Sequence, residues 1–427
     1  MTLTVGSIIT VTAHELDFLG QGVARYDDLV VFVKGLITNE SAEVEVTQIK
    51  KRFVSAKIKT LITKSGQRKD VLSVYGAQDL YHLSDNAQLD WQIQITKNAF
   101  KRQFEDVSFN EILTGNQQLN YRNKVVYHIM NQEKLQLGLY DDRSTKLISI
   151  DDFKLAAESL TPILLKLDQS GIKIDPLIFK QIVFRNNQNG EILVTLVATK
   201  KKFFGLKQLI ELFSGFSQIV GLTLNLKKHP KNILSDESTV LFGKNELMMK
   251  LDDFKLLIND QAFFQINDEV MLKTYHKITE FIGRDGVIDA YSGVGSIGLL
   301  AAKKASQVIL IESNTANNLM AKQNISLNDY LNIVLHEAKV EDVLADIKAE
   351  VLIVDPPRSG LHESLSAKIV EKQFSKIAYL SCELKTLVRD LIELTKVYEI
   401  KEVIPVRMFP QTTSIETLVL LELKSKD

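Results

Sequence analysis

The sequence predicts a multidomain α/β protein with a small N-terminal β-barrel, a central α+β domain and a C-terminal domain built on a doubly wound parallel sheet. Short β-branched apolar runs separated by glycines fill the first 60 residues, as in small barrels. Strand-like and helix-like runs mix through the middle of the chain. From about residue 254, continuous apolar runs alternate with helical patterns, which is typical of a parallel sheet covered on both faces.

Composition places the chain among ordinary globular proteins. It has 427 residues, of which 45% are hydrophobic and 25% are charged. No apolar run approaches the roughly 18–20 residues that cross a bilayer, and the N-terminus lacks a secretion signal. The single cysteine, Cys382, excludes an internal disulfide and any cysteine-only iron–sulfur or zinc site. These features predict a cytoplasmic protein without a membrane partner or a metal, and we expect a monomer.

Residues 1–60 are predicted to form an OB-like barrel, with strands at Val5–Thr12, Leu29–Val33 and Ala42–Ile49. The formal net charge of the whole chain is only −1. The stretch from Thr47 to Lys69 nevertheless contains no acidic residue and these basic ones: Lys50, Lys51, Arg52, Lys57, Lys59, Lys64, Arg68 and Lys69. A polyanion responds to such local charge, so this stretch is a candidate nucleic-acid contact. A solvated sheet edge is the alternative.

Residues 61–255 are predicted to contain a connector, an amphipathic helix at about 84–104 and an α+β domain. We expect the helix to pack on the C-terminal domain. The α+β domain begins near residue 119, and its predicted elements are strands at Lys124–Ile129, Gln181–Phe184 and Ile192–Ala198 and a helix near Ala156–Gln169.

Residues 256–427 are predicted to form the doubly wound domain, and a glycine-rich loop follows its first strand. The stretch Asp289–Gly298 holds G-x-G-x-x-G, in which Gly293 and Gly295 let a ligand approach the backbone closely. The next strand ends at Glu312, whose carboxylate can accept hydrogen bonds from ribose hydroxyls. Together these features predict an adenosine-containing cofactor. They serve NAD and S-adenosylmethionine equally, so they leave the choice open, and packing glycines beside an exposed glutamate are the alternative.

An Asp-Pro-Pro-Arg sequence follows the strand predicted at Val351–Val354, at the sheet edge where ligands bind. Prolines fix φ and donate no hydrogen bond, so the loop is rigid. It can present Asp355 and Arg358 to a flat polar substrate, although a stiff turn would look similar.

Cys382 follows the next predicted strand, Ile377–Leu380, at the same edge. Thiolates attack activated ring carbons, and their reactivity depends on lowering the pKa of the thiol. A lone cysteine is usually buried and inert. The position of Cys382 beside the cofactor edge and the Asp-Pro-Pro-Arg loop favours a nucleophile instead.

Several sequence motifs, which include these residues, occur together in one known protein family. They are Gly20–Arg25, Tyr121–Lys124, Gln261–Asn267, Asp289–Gly298, Ile353–Gly360, Tyr379–Cys382 with Thr386–Leu391, and Met408–Pro410 with Glu416-Thr417. In this order they resemble RNA (uracil-5-)-methyltransferases with an N-terminal TRAM domain, most closely the branch that acts on 23S ribosomal RNA. Gly20–Arg25 is similar to the TRAM barrel and Gln261–Asn267 to the family's Phe-Phe-Gln-x-Asn motif.

The resemblance implies a TRAM domain over residues 1–60, a central RNA-binding domain over 61–255 and a Rossmann-like methyltransferase domain over 256–427. It implies methylation of carbon 5 of uridine, with S-adenosyl-L-methionine as cofactor and RNA, probably of the 23S type, as partner. The implied cofactor-binding residues are Gln265, Tyr291, Gly293, Gly295, Glu312 and Asp355. The implied substrate-binding residues are Phe264, Arg358, Lys50, Lys51 and Arg52. Cys382 would be the nucleophile and Glu416 the general base, acting on an unstacked base.

Several positions depart from the family pattern. Ser73–Leu80 lacks the cysteines that often bind a [4Fe-4S] cluster, so no cluster is expected. Glu383 replaces an asparagine after Cys382 and adds a negative charge beside the thiol, Arg407 replaces an aspartate and Ser414 a histidine. The alternatives are a tRNA uridine-5 methyltransferase, a non-catalytic RNA-binding or ribosome-assembly factor derived from this family, and a nicotinamide-dependent dehydrogenase.

Overall fold

The computed structural model describes residues 3–71, 78–130, 134–141, 146–149, 153–229, 233–235 and 237–425. Most of the stretch Ser73–Leu80, where the family's cluster cysteines would stand, lies outside the described residues. The chain forms two compact units. The first holds the described residues of the ranges 1–102 and 409–415 together with Asp141, and the second holds those of 103–140, 145–408 and 416–427.

The first unit contains one six-stranded sheet with the order β1-β5-β6-β4-β3-β2. Its strands are β1 (Ile8–Thr12), β2 (Glu15–Leu16), β3 (Gly22–Tyr26), β4 (Leu29–Lys34), β5 (Ser41–Ile49) and β6 (Phe53–Thr63). Alternate residues point inward, and Val31, Val44 and Val54 are completely buried in one apolar cluster. The last strand extends a few residues past the predicted domain boundary at residue 60.

Helix α1 (Asp85–Lys101) also lies in the first unit. Ser84 caps it by accepting a hydrogen bond from the backbone N–H of Ala87 at 3.3 Å. Trp91 is buried and donates its indole N–H to the carbonyl oxygen of Asp17 at 2.9 Å. The helix is therefore grouped with the barrel strands and with residues 409–415, and its packing on the rest of the C-terminal domain stays a prediction.

The second unit begins with a seven-stranded sheet of order β13-β12-β11-β10-β7-β8-β9 and a two-stranded hairpin. The elements are β7 (Lys124–Ile129), β8 (Leu137–Tyr140), β9 (Leu147–Ser149), α2 (Thr161–Gln169), β10 (Phe179–Asn186), β11 (Ile192–Ala198), α3 (Leu206–Ser214), β12 (Ile219–Leu226), β13 (Ser238–Gly243), β14 (Glu246–Leu251) and β15 (Phe254–Asn259). Every residue of β11 is buried, which explains its unbroken apolar sequence.

The same unit ends in a second seven-stranded sheet, of order β18-β17-β16-β19-β20-β22-β21. Its elements are α4 (Asp268–Ile282), β16 (Val287–Ala290), α5 (Ser296–Ala301), β17 (Val308–Glu312), α6 (Thr315–Leu327), β18 (Ile333–Glu337), α7 (Val340–Val343), β19 (Val351–Val354), α8 (Glu363–Lys372), β20 (Lys376–Ser381), α9 (Leu384–Leu394), β21 (Tyr398–Val406) and β22 (Glu416–Leu423). Strands β16 to β20 are parallel, and the last two strands pair antiparallel.

The strand order reverses direction between β16 and β19, so this sheet has a topological switch point there. The predicted doubly wound domain is therefore confirmed. Among the helices in the described part of the chain, none is both long enough and apolar enough to cross a membrane.

Candidate active site

The carboxyl ends of three neighbouring strands gather the predicted site residues. In register, Val354 at the end of β19 lies between Ala290 at the end of β16 and Tyr379 in β20. The chain therefore leaves β16 into Tyr291 and leaves β19 into Asp355 at the same edge. This edge lies beside the switch point, where open α/β sheets bind their ligands.

Strand β22 brings Glu416 to Cys382. Ser381 at the end of β20 pairs with Thr417 in antiparallel register, and Cys382 and Glu416 are the next residues beyond this pair. The negative charge of Glu416 acts on the thiol of Cys382, as expected for two neighbouring groups. Glu416 is only 3% exposed, and its Oε2 atom has no hydrogen-bond partner within the described ranges. The proposed nucleophile and base therefore lie at the same strand pair, although they are 34 residues apart in sequence.

Burial shifts the pKa of both carboxyls at this edge into the neutral range. It raises the pKa of Asp355 to about 7. It raises the pKa of Glu416 to about 8, with the negative charge of Asp355 adding to the effect and Arg358 opposing it. A carboxyl group with such a pKa can exchange a proton near neutral pH, as a general base must.

The carboxylates of Glu416 and Asp355 also affect the pKa of the Cys382 thiol. Burial is the main cause that raises the pKa of Cys382 to about 11, and the charges of Glu416 and Asp355 raise it further, whereas Arg358 lowers it. Glu383, which we expected to disfavour the thiolate, is exposed, and its Oε1 accepts the backbone N–H of Lys385 at 3.4 Å as the cap of α9. The free protein therefore holds Cys382 mainly as a thiol.

The rate of alkylation of Cys382, the only cysteine in the sequence, measures how these charges shift the thiol pKa. We expect iodoacetamide to modify Cys382 faster at pH 8 in E416Q and D355N than in the wild type, because each change removes a charge that raises the thiol pKa. R358M should react more slowly. As the control, E383Q should change the rate least, since its carboxylate caps a helix in solvent. Equal alkylation rates in all four variants would contradict the assigned charge pattern.

The Asp-Pro-Pro-Arg loop is held from behind by α9. Asp390 is 3% exposed and accepts hydrogen bonds from the Leu361 N–H at 2.8 Å and from the Tyr379 hydroxyl at 2.7 Å. Arg389 pairs with Asp390 and donates to the carbonyl oxygen of Ser359 at 2.9 Å. The Thr386–Leu391 motif thereby fixes the loop that carries Asp355 and Arg358.

Gly360 makes this clamp testable. Its φ is +74°, and a Cβ there would meet the carboxylate of Asp390 and lie 2.7 Å from Nη2 of Arg389. We expect G360A to lower the free energy of unfolding by about 2 kcal/mol or more and to lower kcat. G171A is the matched control, because Gly171 has a φ of +61° but open space around its Cβ position. It should cost about 1 kcal/mol and leave kcat unchanged. Similar unfolding free energies from urea titrations of both variants would rule out the clamp.

The glycine-rich loop has the shape expected of a cofactor cradle. Tyr291, Gly293 and Gly295 all have positive φ, of +60°, +57° and +86°. For Tyr291 this conformation is strained, and such strain is concentrated at functional sites. A Cβ at Gly293 would meet no neighbouring atom, so the space beside the backbone is open. The half-buried Glu312 accepts the Gly293 N–H at 2.9 Å and stands at the edge of that space.

Unsatisfied polar atoms line the same cradle. The Oδ1 atom of Asp289 and the hydroxyl of Ser292 are buried, and neither has a hydrogen-bond partner among the residues that the structure covers. Burial raises the pKa of Asp289 to about 8. Buried polar atoms usually have partners, so this arrangement fits a polar ligand. A nucleoside cofactor with ribose hydroxyls and an amino acid group matches it.

The Phe-Phe-Gln motif differs from the prediction in one residue. Phe264, the predicted substrate contact, is 3% exposed and packs inside, whereas Phe263 is 64% exposed. Gln265 is 6% exposed, and its side-chain amide has no hydrogen bond to any described residue, as expected for a ligand contact. Asn123 of the Tyr121–Lys124 motif donates its amide to the carbonyl oxygen of Gln265 at 2.8 Å. Neither the exposure of Phe263 nor this hydrogen bond of Asn123 was evident from the sequence.

The two remaining departures from the family pattern lie in different units. Arg407 lies in the second unit and is 2% exposed. Burial raises the pKa of the Tyr121 hydroxyl, and the positive charge of Arg407 opposes this shift. The backbone N–H of Arg407 donates to the carbonyl oxygen of Leu113 at 2.8 Å. Ser414 lies in the first unit with its side chain exposed. Neither substitution therefore removes one of the buried carboxyls at the sheet edge.

Within the basic stretch of the first unit, one turn is the best candidate for a contact with nucleic acid. Lys50, Lys51 and Arg52 connect β5 to β6, are exposed, and have no ion-pair partner in the described part of the chain. The other basic residues are mostly paired: Lys57 with Glu45, Lys64 with Asp70, Arg68 with Glu40 and Lys69 with Asp85. The free turn is the better candidate for a contact with a polyanion.

The glycine-rich cradle at the switch point of a doubly wound sheet, with Cys382 following a neighbouring strand, is the arrangement expected of a methyltransferase with a Rossmann-like fold. Residues 84–424 match the family described as tRNA (Uracil-5-)-methyltransferase, and residues 2–59 match the TRAM domain. The chain belongs to this family of RNA uracil-5-methyltransferases and carries a TRAM domain at its N-terminus. The family uses S-adenosyl-L-methionine, so the predicted family, reaction class and cofactor are confirmed, as is the TRAM barrel.

Related proteins span nearly the whole chain. An uncharacterized RNA methyltransferase of Enterococcus faecalis is 30% identical over 444 residues, covering 97% of each chain. One of Staphylococcus aureus strain N315 is 28% identical over 445 residues, covering 98% of each. The crystal structure of Pyrococcus abyssi tRNA (uracil-54, C5)-methyltransferase in complex with S-adenosyl-L-homocysteine is similar in fold. Its TM-score is 0.78 at 22% identity, over 96% of this chain and 99% of that one.

Proposed function

We propose that this protein methylates carbon 5 of uridine in 23S ribosomal RNA by covalent catalysis, with Cys382 as nucleophile and Glu416 as general base. The observation that supports the proposal most is the pairing of Ser381 with Thr417, because the residues next to this pair are the lone cysteine and a buried carboxyl. We further propose that it works in the cytoplasm as a monomer.

The residue types suit the chemistry of uracil. Carbon 5 is too weak a nucleophile to accept a methyl group directly. The Cys382 thiolate adds to carbon 6, and the electron pair of the 5,6 double bond moves toward the carbon 4 oxygen as an enolate. S-adenosylmethionine, when bound, supplies an electrophilic methyl group on a positively charged sulfur. Carbon 5 of the enolate would form the new carbon–carbon bond to this methyl group, and the bond from the methyl group to sulfur would break to leave the neutral thioether, S-adenosylhomocysteine.

Release of the product requires a base. Glu416 removes the proton from carbon 5, the double bond re-forms, and the bond between carbon 6 and Sγ breaks to return the thiolate. The raised pKa of Glu416 makes its carboxylate a stronger base than an exposed one. Arg358 is the positive charge that acts on both Cys382 and Glu416, and it lies on the loop fixed by Asp390. We assign it to stabilising the thiolate and the substrate's developing negative charge.

Binding of the cofactor and the base is assigned to the residues around this pair. Gln265, Tyr291, Gly293, Gly295, Glu312 and Asp355 hold S-adenosylmethionine and the uracil in this proposal. Phe263 replaces Phe264 as the aromatic surface for an unstacked base, because it is the exposed ring of the motif. The turn of Lys50, Lys51 and Arg52 contacts RNA phosphates.

A tRNA substrate is the second candidate. The TRAM domain favours ribosomal RNA, because the resemblance associates the bacterial tRNA branch with its absence. The Pyrococcus abyssi enzyme, whose name gives tRNA as substrate, nevertheless matches 96% of this chain. That observation keeps transfer RNA open as a substrate.

Methyl transfer to undermodified RNA distinguishes the two. The purified protein is incubated with methyl-labelled S-adenosylmethionine and either 23S ribosomal RNA or transfer RNA from cells that lack uracil-5 methylation. The digested nucleosides are then separated. We expect label in 5-methyluridine from 23S RNA. Label only in transfer RNA would select the second candidate, and label in neither RNA would overturn the proposed reaction.

A further inference from the structure

One end of the central sheet in the second unit gathers lysines from three neighbouring strands. Strands β10 and β11 pair antiparallel there, with Phe179 opposite Ala198, and β11 and β12 run parallel, with Ala198 beside Leu226. The beginning of β10 and the ends of β11 and β12 therefore lie side by side. The lysines at these strand ends, called here the basic rim, are Lys180, Lys200, Lys201, Lys202, Lys227 and Lys228.

Only part of the charge of the basic rim is neutralised within the protein. Lys201 and Lys228 share one carboxylate, because they form ion pairs with Glu237 at 3.2 and 3.3 Å. The rim therefore carries more positive charge than its carboxylate can balance. The amines that have neither an ion-pair partner nor a hydrogen-bond partner among the described residues are those of Lys200, Lys202 and Lys227.

The charges at the rim act on one another. Burial lowers the pKa of Lys227, and the positive charge of Lys180 lowers it further. Burial also lowers the pKa of His128 to about 4, and the charge of Lys227 adds to this shift. No carboxylate in the described ranges opposes either shift, so the local potential is positive and suits a polyanion.

An exposed aromatic ring follows the three consecutive lysines of the rim. Phe204 is 64% exposed, whereas its neighbour Phe203 stacks on Phe179 with ring centroids 4.9 Å apart. On the other side, Gly205 has a φ of +89°, and a Cβ there would lie 2.5 Å from the carbonyl oxygen of Lys173. The backbone is therefore fixed on both sides of Phe204, so its ring is held at the surface in a defined place.

We propose that the basic rim and Phe204 bind a single-stranded segment of the RNA substrate, with phosphates at the three free lysines and an unpaired base stacked on Phe204. Cations beside an aromatic ring are the usual arrangement in proteins that bind single strands. A base inside a duplex has no free face for such a ring, which favours unpaired nucleotides. The inference rests on the proposed action on RNA and adds a second contact surface to it.

The rim lies at the end of the central sheet that is far from the Gln261–Asn267 motif. At the other end of β10, Arg185 donates to the carbonyl oxygen of Ala262 in that motif at 2.7 Å. Lys180 and Arg185 are five residues apart along this strand, which corresponds to roughly 17 Å. Loss of the rim contacts should therefore raise the KM for RNA and leave kcat within about twofold of the wild type.

RNA binding by the full-length protein tests the rim. The probe is a short, fluorescently labelled oligouridylate, alone or annealed to oligoadenylate, and its dissociation constant is measured at several salt concentrations. K200A/K202A/K227A loses three phosphate contacts, so its plot of log K against log salt should become shallower by about 2 for the single strand. F204A should raise the dissociation constant by about 5- to 100-fold, which is the usual contribution of one stacked base.

Two controls separate these contacts from general effects of charge and hydrophobicity. F204Y keeps an aromatic face and should bind like the wild type, whereas F204L should bind as weakly as F204A. The matched charge control is K166A/K348A/K396A, which removes the same number of charges from the second unit. Its residues are exposed on α2 and before strands β19 and β21, and its salt dependence should equal that of the wild type.

The outcomes are distinct. Weaker binding of the single strand by the triple rim variant and by F204L, but not by the charge control, supports the proposal. Unchanged binding by both rim variants would overturn it. Equal losses for single strand and duplex in the triple variant, with no effect of F204L, would show that the rim holds a helix and that the assignment to a single strand is wrong.

The binding measurement needs no methyl transfer, so it separates this inference from the proposed function. A wild type that binds the oligouridylate through the rim but forms no 5-methyluridine would contradict the proposed reaction and leave the rim in place. A protein that methylates RNA with the same KM in the wild type and in the triple variant would keep the reaction and remove the rim.

Discussion

Replacing Glu416 with glutamine is expected to stop the reaction after methyl transfer, with the RNA still joined to Cys382. Glutamine has nearly the same shape, so it should preserve the fold and the first two steps, but it cannot accept the carbon 5 proton. General base catalysis typically contributes about 10²- to 10⁴-fold, and we expect kcat to fall within that range. E416Q also removes a charge that raises the thiol pKa, so addition to carbon 6 should not become slower.

The measurement is a single-turnover reaction with labelled RNA, analysed on a denaturing gel. The wild type should show little covalent complex at steady state, whereas E416Q should convert most of the enzyme into it. E383Q is the matched control. It also removes a carboxylate next to Cys382, but that carboxylate caps helix α9. Turnover of E416Q at the wild-type rate would refute the role of Glu416.

Replacing Cys382 with alanine is expected to abolish both methylation and the covalent complex. Loss of an essential nucleophile removes a whole reaction path, so we expect a fall in kcat on the order of 10⁴-fold or more. Cys382 is half-buried, and alanine leaves only a small space in its place, so stability should change by about 1 kcal/mol or less.

RNA binding and cofactor binding of C382A are measured beside its activity. Both dissociation constants should remain near those of the wild type, which shows that the lost activity reflects chemistry. The double variant C382A/E416Q should form no complex, because the thiol is needed to form it. A complex in the double variant would place the covalent bond on another residue.

The C-terminal sheet could be predicted closely from sequence because its strands are buried on both faces. Val351–Val354 agrees with β19 residue for residue, and the predicted strand Ile377–Leu380 falls inside β20. A parallel strand covered by helices on both sides must be apolar throughout, so its limits show in the sequence. Asp355 and Cys382 follow such strands directly, which is why their edge could be predicted as well.

The parts that could not be predicted depend on contacts between distant segments. Phe263 and Phe264 are identical neighbours, so the pattern of apolar residues cannot show which of the two rings is exposed. The helix α1 is grouped with the barrel strands, and the bond from Trp91 to Asp17 joins the two across 74 residues of sequence.

Glu383 illustrates the same limit at shorter range. Its position next to Cys382 suggested an unfavourable charge, but the chain turns there into α9 and uses the carboxylate as a helix cap. Burial is the main cause that raises the thiol pKa, and the charges that add to it are those of Glu416 in β22 and of Asp355, which follows β19. Proximity in sequence was therefore a poor guide to the electrostatics of this cysteine, and the register of the sheet was a good one.

The central claim is that Cys382 forms a covalent bond to carbon 6 of the target uridine. RNA that carries 5-fluorouridine tests it most directly, since fluorine at carbon 5 leaves Glu416 no proton to remove. After incubation with S-adenosylmethionine, the protein is digested and analysed by mass spectrometry. The account predicts one modified peptide, with a methylated fluorouridine nucleotide on Cys382, and none in C382A. An unmodified Cys382 in a preparation that methylates ordinary RNA would contradict it.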